Sequence, residues 1–237
     1  MKKKILISTG GSGGHVLPAI NILEHLKEKY ETFLATDIRG LKYFNNNAYK
    51  YFLLNTPKSK SIYLIPFNIF IFTICIIKSL LYLKKNKIDY ILSTGGYMSL
   101  PICISARMIG IDIYLYEPNM VVGRANKYFL NSCKKIICTS NKLSNFPDVY
   151  KDKIYLIDPI LKKEIYTLEK KKSIIPVKSI DLLVLGGSQG AKFLDELITQ
   201  VVLKLSKNFK ISLVQQVYEN RKILKLKKIY KDANINS

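Results

Sequence analysis

A chain of 237 residues with 48% hydrophobic content is long enough for one large domain or two modest ones with a genuine core. Its 38 Lys+Arg against 17 Asp+Glu give a formal charge of +21, which favours an anionic partner such as nucleic acid, phospholipid headgroups or a phosphorylated substrate. The basic residues run through both halves, so the charge is no basic tail. Cys75, Cys103, Cys133 and Cys138 stand in apolar surroundings without a Cys-x-x-Cys pair, which argues against a disulfide framework or zinc site and suits a reducing cytoplasm.

Met1-Lys2-Lys3-Lys4 imitates the start of a signal peptide, but the apolar run that follows stops at Ser8. Residues 5–8 therefore read as a first strand. Next comes Ser8-Thr9-Gly10-Gly11-Ser12-Gly13-Gly14-His15-Val16-Leu17-Pro18, a glycine loop whose backbone lets a ligand come close, followed by a helix over 20–29. Amides at such a helix start favour an anionic group, and a phosphate is the obvious guest. The loop lacks the Gly-Lys-Ser/Thr ending of a Walker motif, and Val16 breaks the dinucleotide fingerprint. His15 places a titratable ring at the loop's mouth, with a plain N-cap histidine as the bland reading.

Strand-like runs recur at 32–36, 51–54, 90–94, 113–116, 136–139 and 154–157, with helical patterns at 41–45, 69–83, 101–109 and 123–130. The alternation predicts βαβ units on a parallel sheet, an α/β fold. Loops 9–15, 94–101 and 117–124 then fall at the strands' carboxyl ends, where ligands sit in such sheets. Residues 62–77 carry no charge and are flanked by Lys58, Lys60, Lys78, Lys84, Lys85 and Lys87. This run is short for a membrane span and is interrupted by Pro66, Asn68 and Thr73. It predicts shallow burial in an anionic membrane surface, against the alternative of a core helix.

A charged, weakly patterned stretch over 159–179 reads as a linker between a domain over 1–158 and a partial one over 180–237. The opening theme returns after it: a strand over 180–185, a loop Gly186-Gly187-Ser188-Gln189-Gly190, and a helix over 191–205. A strand over 211–215 and a basic helix over 221–231 follow. The pattern Gly186-x-Ser188-x-Gly190 also fits a hydrolase nucleophile elbow, but that triad needs a histidine after the serine, and both His15 and His25 precede it. His25 lies among Ile22, Leu23 and Leu26, which predicts packing. The aromatics lie inside apolar runs and no nucleic-acid module is present, so nucleic acid is not expected as a partner.

Four stretches together resemble the MurG family of bacterial glycosyltransferases. They are Gly10–Pro18, Gly95-Gly96-Tyr97-Met98-Ser99-Leu100-Pro101, Glu117-Pro118-Asn119 with 123–127, and Gly186-Gly187-Ser188-Gln189-Gly190-Ala191. The resemblance implies a GT-B fold of two Rossmann-like domains and inverting, metal-independent transfer of N-acetylglucosamine from UDP-N-acetylglucosamine to undecaprenyl-linked muramyl-pentapeptide. That reaction belongs to peptidoglycan synthesis at the cytoplasmic face of the inner membrane, where such enzymes are peripheral, and it calls for no cofactor. It further implies His15 as base, Ser12, Gly13, Gly14, Asn119 and Ser188 at the donor, and Gly95, Gly96 and Tyr97 at the acceptor. Departures are Ser12 for threonine, Leu17 for phenylalanine, Leu100 for glycine, Pro118 for glutamine, and Leu161, beside Lys162, for a phosphate-facing arginine. MurG chains continue well past Ser237, which leaves a partner-dependent module, with another chain supplying the donor half, as the alternative.

Overall fold

The computed structural model describes residues 2–45, 47–57, 62–168, 178–186 and 192–237. It divides into two compact units, Met1–Leu168 and Glu169–Ser237. In the first, seven strands form one parallel sheet in the order β3-β2-β1-β4-β5-β6-β7. They are β1 (Lys4–Ser8), β2 (Glu31–Thr36), β3 (Tyr51–Leu53), β4 (Tyr90–Ser93), β5 (Asp112–Glu117), β6 (Lys135–Cys138) and β7 (Ile154–Leu156). Leu6 points to one core with Ile91, Ile102 and Leu115, and its neighbours Ile5 and Ile7 point to another with Ile22, Leu23 and Leu34. That alternation leaves β1 apolar on both sides, as a doubly covered strand requires. The chain leaves β1 towards β2 and β3, then crosses back to β4, so the order reverses at the β1–β4 seam. Ligands collect at the carboxyl end of such a seam.

The helices are α1 (Gly13–Leu26), α2 (Ile65–Asn86), α3 (Ser99–Met108), α4 (Arg124–Lys127) and α5 (Lys163–Tyr166). α1 starts inside the glycine loop rather than at residue 20, with Pro18 in its second turn. Proline there removes the amide that would bond the Gly14 carbonyl, a local cost. Buried Val16, Ala19, Ile22 and Leu23 recur at helical spacing and outweigh it. The expected helix over 41–45 is a single 3₁₀ turn, Gly40–Tyr43, and the one over 123–130 shrinks to α4. α2 is longer than expected, with Pro66 in its first turn, where a missing amide costs nothing. Residues 159–168, expected in the linker, pack on α1. Asn21 Nδ2 donates to the Ile160 carbonyl at 3.3 Å, and His25 Nε2 meets the Leu161 carbonyl at 2.9 Å. His25 thus does more than pack: it ties this segment down and stacks edge-on against Tyr166.

The second unit holds β8 (Ser179–Val184) and β9 (Lys210–Gln215), paired in parallel, with α6 (Lys192–Leu205) and α7 (Ile223–Asp232). Val202, Ile211, Leu213, Tyr230 and Ile235 form its core. The opposite face is bare: Leu183 is 66% and Val214 65% exposed. Ser212 and Asn236 form a parallel bridge, so the final residues begin to pair along β9.

Candidate active site

Two glycine turns meet at the β1–β4 seam. Gly10 N donates to the Gly95 carbonyl at 2.8 Å. Gly96 sits at φ +90°, and a Cβ there would lie 2.4 Å from Gly10 Cα, so only glycine permits both the turn and the approach. The first amides of a helix have no internal partner, which here leaves those of Gly13 and Gly14 to be satisfied from outside. No acidic side chain occupies that first turn, and a Cβ on exposed Gly14 would meet nothing within 4 Å. An anion can therefore reach this end of α1. Ser12 is the exposed N-cap, and its carbonyl accepts from the amides of His15 and Val16, both at 3.0 Å.

His15 projects from α1 onto the second turn. Its Nδ1 lies 2.7 Å from the carbonyl oxygen of Thr94, and Thr94 Oγ1 donates back to the His15 carbonyl at 3.2 Å. A carbonyl only accepts, so Nδ1 carries the hydrogen and Nε2 keeps the lone pair. A Cβ on Gly95 would sit 3.3 Å from His15 Cε1, so the ring lies flush against this loop.

A buried relay holds the turn beneath the ring. Gly95 N donates to Ser93 Oγ at 3.2 Å, Ser93 Oγ donates to Asn126 Oδ1 at 3.1 Å, and Asn126 Nδ2 reaches the Tyr116 carbonyl and Glu117 Oε2. Glu117, 3% exposed, also accepts from Gly123 N at 2.7 Å and from Asn119 Nδ2 at 3.1 Å. It thereby fixes Asn119, which stands exposed at the end of β5. Sequence reasoning quoted Glu117 and the 123–127 stretch but assigned neither Glu117 nor Asn126 a role. Glu117 shows in the sequence only as a charge closing the apolar run 113–116, and Asn126, between Ala125 and Lys127, gives no such signal. Tyr97 is 63% exposed beside the same turn.

Asp37 and Arg39 were also missed. Asp37 is buried after β2, accepts from the amides of Arg39 and Gly40, and pairs with the Arg39 guanidinium at 2.6 Å. A Cβ on Gly11 would fall 1.9 Å from Asp37 Oδ1, so the pair packs directly against the glycine loop and holds a cation there. An acidic residue closing the second strand of such a fold was the available clue. Among the described residues no group of three or more His, Cys, Asp or Glu side chains is placed to hold a metal ion. Ser188 lies outside the described residues, so the elbow reading and the donor assignment there have no geometry. The adjoining Gly186 N donates to Gln216 Oε1 at 3.1 Å. Leu161, in the position of the expected arginine, is 41% exposed and bonded through its backbone to His25 and Tyr166.

Residues 5–138 match the model of the glycosyltransferase family 28 N-terminal domain. The chain belongs to glycosyltransferase family 28. A Pelagibacter ubique relative is 45% identical over 99% of this chain, and one from Rickettsia felis 33% identical over 99%. Both are named UDP-N-acetylglucosamine–N-acetylmuramyl-(pentapeptide) pyrophosphoryl-undecaprenol N-acetylglucosamine transferase. The MurG resemblance read from the four motifs therefore holds. The crystal structure of Acinetobacter baumannii MurG superposes with a TM-score of 0.74 at 21% identity, over 99% of this chain and 66% of that one. The family 28 fold is thus the GT-B fold, Rossmann-like as expected. This chain spans 65% and 67% of the lengths of the two curated relatives, about two thirds.

Proposed function

We propose that this family 28 chain transfers N-acetylglucosamine from UDP-N-acetylglucosamine to a lipid-linked muramyl-pentapeptide, with His15 as general base. The observation that carries this reading is the Nδ1 bond of His15 to the Thr94 carbonyl, which leaves Nε2 free at the meeting of two glycine turns. Nε2 takes the proton from the acceptor hydroxyl, the oxygen attacks the anomeric carbon, and the bond to the UDP oxygen breaks with inversion. The turn Gly95-Gly96-Tyr97 borders the acceptor. The amides of Gly13 and Gly14, with Ser12 and Asn119, face the donor diphosphate, whose growing charge they and the helix dipole offset. Uracil and sugar recognition falls to the segment by which the relatives are longer, carried on this polypeptide or a second one. The bare face of the β8–β9 sheet, with Leu183 and Val214 exposed, supports this, since parallel sheets are covered on both faces.

The enzyme works as a peripheral protein on the cytoplasmic face of the inner membrane. α2 is long and apolar enough to cross a membrane, and with only 11% of its most apolar window buried it is not a core helix. Cys75, Ser79 and Leu83 seat its second half on the sheet, and Ser105 Oγ of α3 donates to the Ile76 carbonyl. Phe67, Ile69 and Phe70 stay exposed on the first half, with Tyr63 exposed just before it, as a surface-lying helix requires. The test is sugar transfer by this chain joined to the last third of the Pelagibacter relative. His15→Ala should lower turnover by about 10²–10⁴-fold at saturating donor and acceptor. Unchanged turnover would remove His15 as base.

A further inference from the structure

A cleft of about 660 Å³ opens beside the glycine loop, between α1, residues 43–45 with Ala48 and Tyr49, and residues 162–164. Tyr43 connects it to the site: a Cβ on Gly13 would sit 3.1 Å from the Tyr43 ring. Its wall carries Glu24, whose carboxylate is held by Lys27 and Tyr49. Lys163 is spent on Glu28. Lys162 and Glu164 enter no ion pair among the described residues, so the cleft offers one unspent cation and one unspent anion. That balance suits a zwitterion and not a diphosphate, which would need several free cations. The amide of Asn45 and the phenol of Tyr43 add donors and acceptors of the kind a peptide backbone uses.

We infer that this cleft is a peptide subsite, taking a short peptide that carries a carboxylate and a side-chain amine. The inference rests on the acceptor reading above. In a muramyl-peptide the peptide hangs from the same sugar ring that accepts the transferred sugar. With that ring's hydroxyl at His15, the peptide leaves beside the glycine loop, on which Tyr43 of the cleft packs at Gly13. Lys162 receives the peptide carboxylate, and Glu164 the amine.

The test is titration of the 237-residue chain with soluble N-acetylmuramyl-pentapeptide bearing lysine at its third position, and with peptide-free N-acetylmuramic acid. Both rim side chains are exposed, so Lys162→Glu and Glu164→Lys should leave the fold intact, which circular dichroism checks. Each substitution should weaken the pentapeptide about tenfold and leave the peptide-free sugar unchanged, a difference of about 1.4 kcal/mol. Equal pentapeptide affinity in wild type and both variants, with the sugar still binding, would overturn the subsite alone. Failure of wild type to bind either ligand would overturn the acceptor reading and the subsite with it. Should a variant lose its fold, Lys162→Met and Glu164→Gln decide by the same comparison.

Discussion

Gly96 and Glu24 show how single side chains set this site. At Gly96 both the left-handed φ of +90° and the contact with Gly10 forbid a Cβ. Gly96→Ala should cost the first unit about 1–3 kcal/mol, read from its urea midpoint. A midpoint equal to wild type would mean the two turns separate freely. Burial alone would raise the Glu24 carboxyl, but hydrogen bonds from Lys27 and Tyr49, with the nearby charge of Lys163, bring it below its ordinary value. Burial and the bond to Glu24 push the Tyr49 phenol up to about 12. A carboxyl depressed on folding contributes stability above its unfolded pKa and loses it as pH falls through the folded one. Unfolding midpoints should therefore drop between about pH 5 and about pH 3, and less steeply in Glu24→Gln. An identical slope in the variant would assign the acid sensitivity elsewhere.

Among the elements, α2 and its neighbours carry the membrane question. An amphipathic helix on a soluble domain turns its apolar stripe inward. Here the first half of α2 turns Phe67, Ile69 and Phe70 outward while the second half is docked. Each phenylalanine withdrawn from water contributes about 1.5–3 kcal/mol, and each nearby lysine adds about 1 kcal/mol on an anionic surface. Phe67→Glu with Phe70→Glu should cut co-sedimentation with anionic vesicles at least about a hundredfold. Wild-type binding should weaken as salt rises. Retention that resists salt and carbonate would show a spanning helix instead.

At the scale of the whole molecule, the two units are unequal. Among the described residues, the first closes seven strands around two cores, while the second has two strands, one covered face and a few buried side chains. A small unit buries little of its surface and opens more readily. Discrimination of a nucleotide sugar needs several convergent polar groups. Calorimetric titration of the 237-residue chain with UDP-N-acetylglucosamine should therefore give no micromolar binding. Micromolar binding, or sugar transfer without an added donor segment, would show that the part present suffices.

The sequence by itself determined the seven strands of the first unit, their parallel pairing, and the place where the glycine turns would meet. Each signal was local: apolar runs long enough for a doubly covered strand, and glycines where the chain must reverse. It also placed His15 at the mouth of the loop. What it could not supply was the start of α1, because glycine and proline argue against a helix locally while the burial of Val16 and Ala19 is a tertiary gain. Nor could it join Glu117, Asn126, Ser93 and Gly95, which are scattered along the chain and brought together by neighbouring strands β4 and β5. The hydrogen on His15 Nδ1 was decided the same way, by a carbonyl 79 residues downstream. Local chemistry wrote the elements, and only packing chose which polar groups meet.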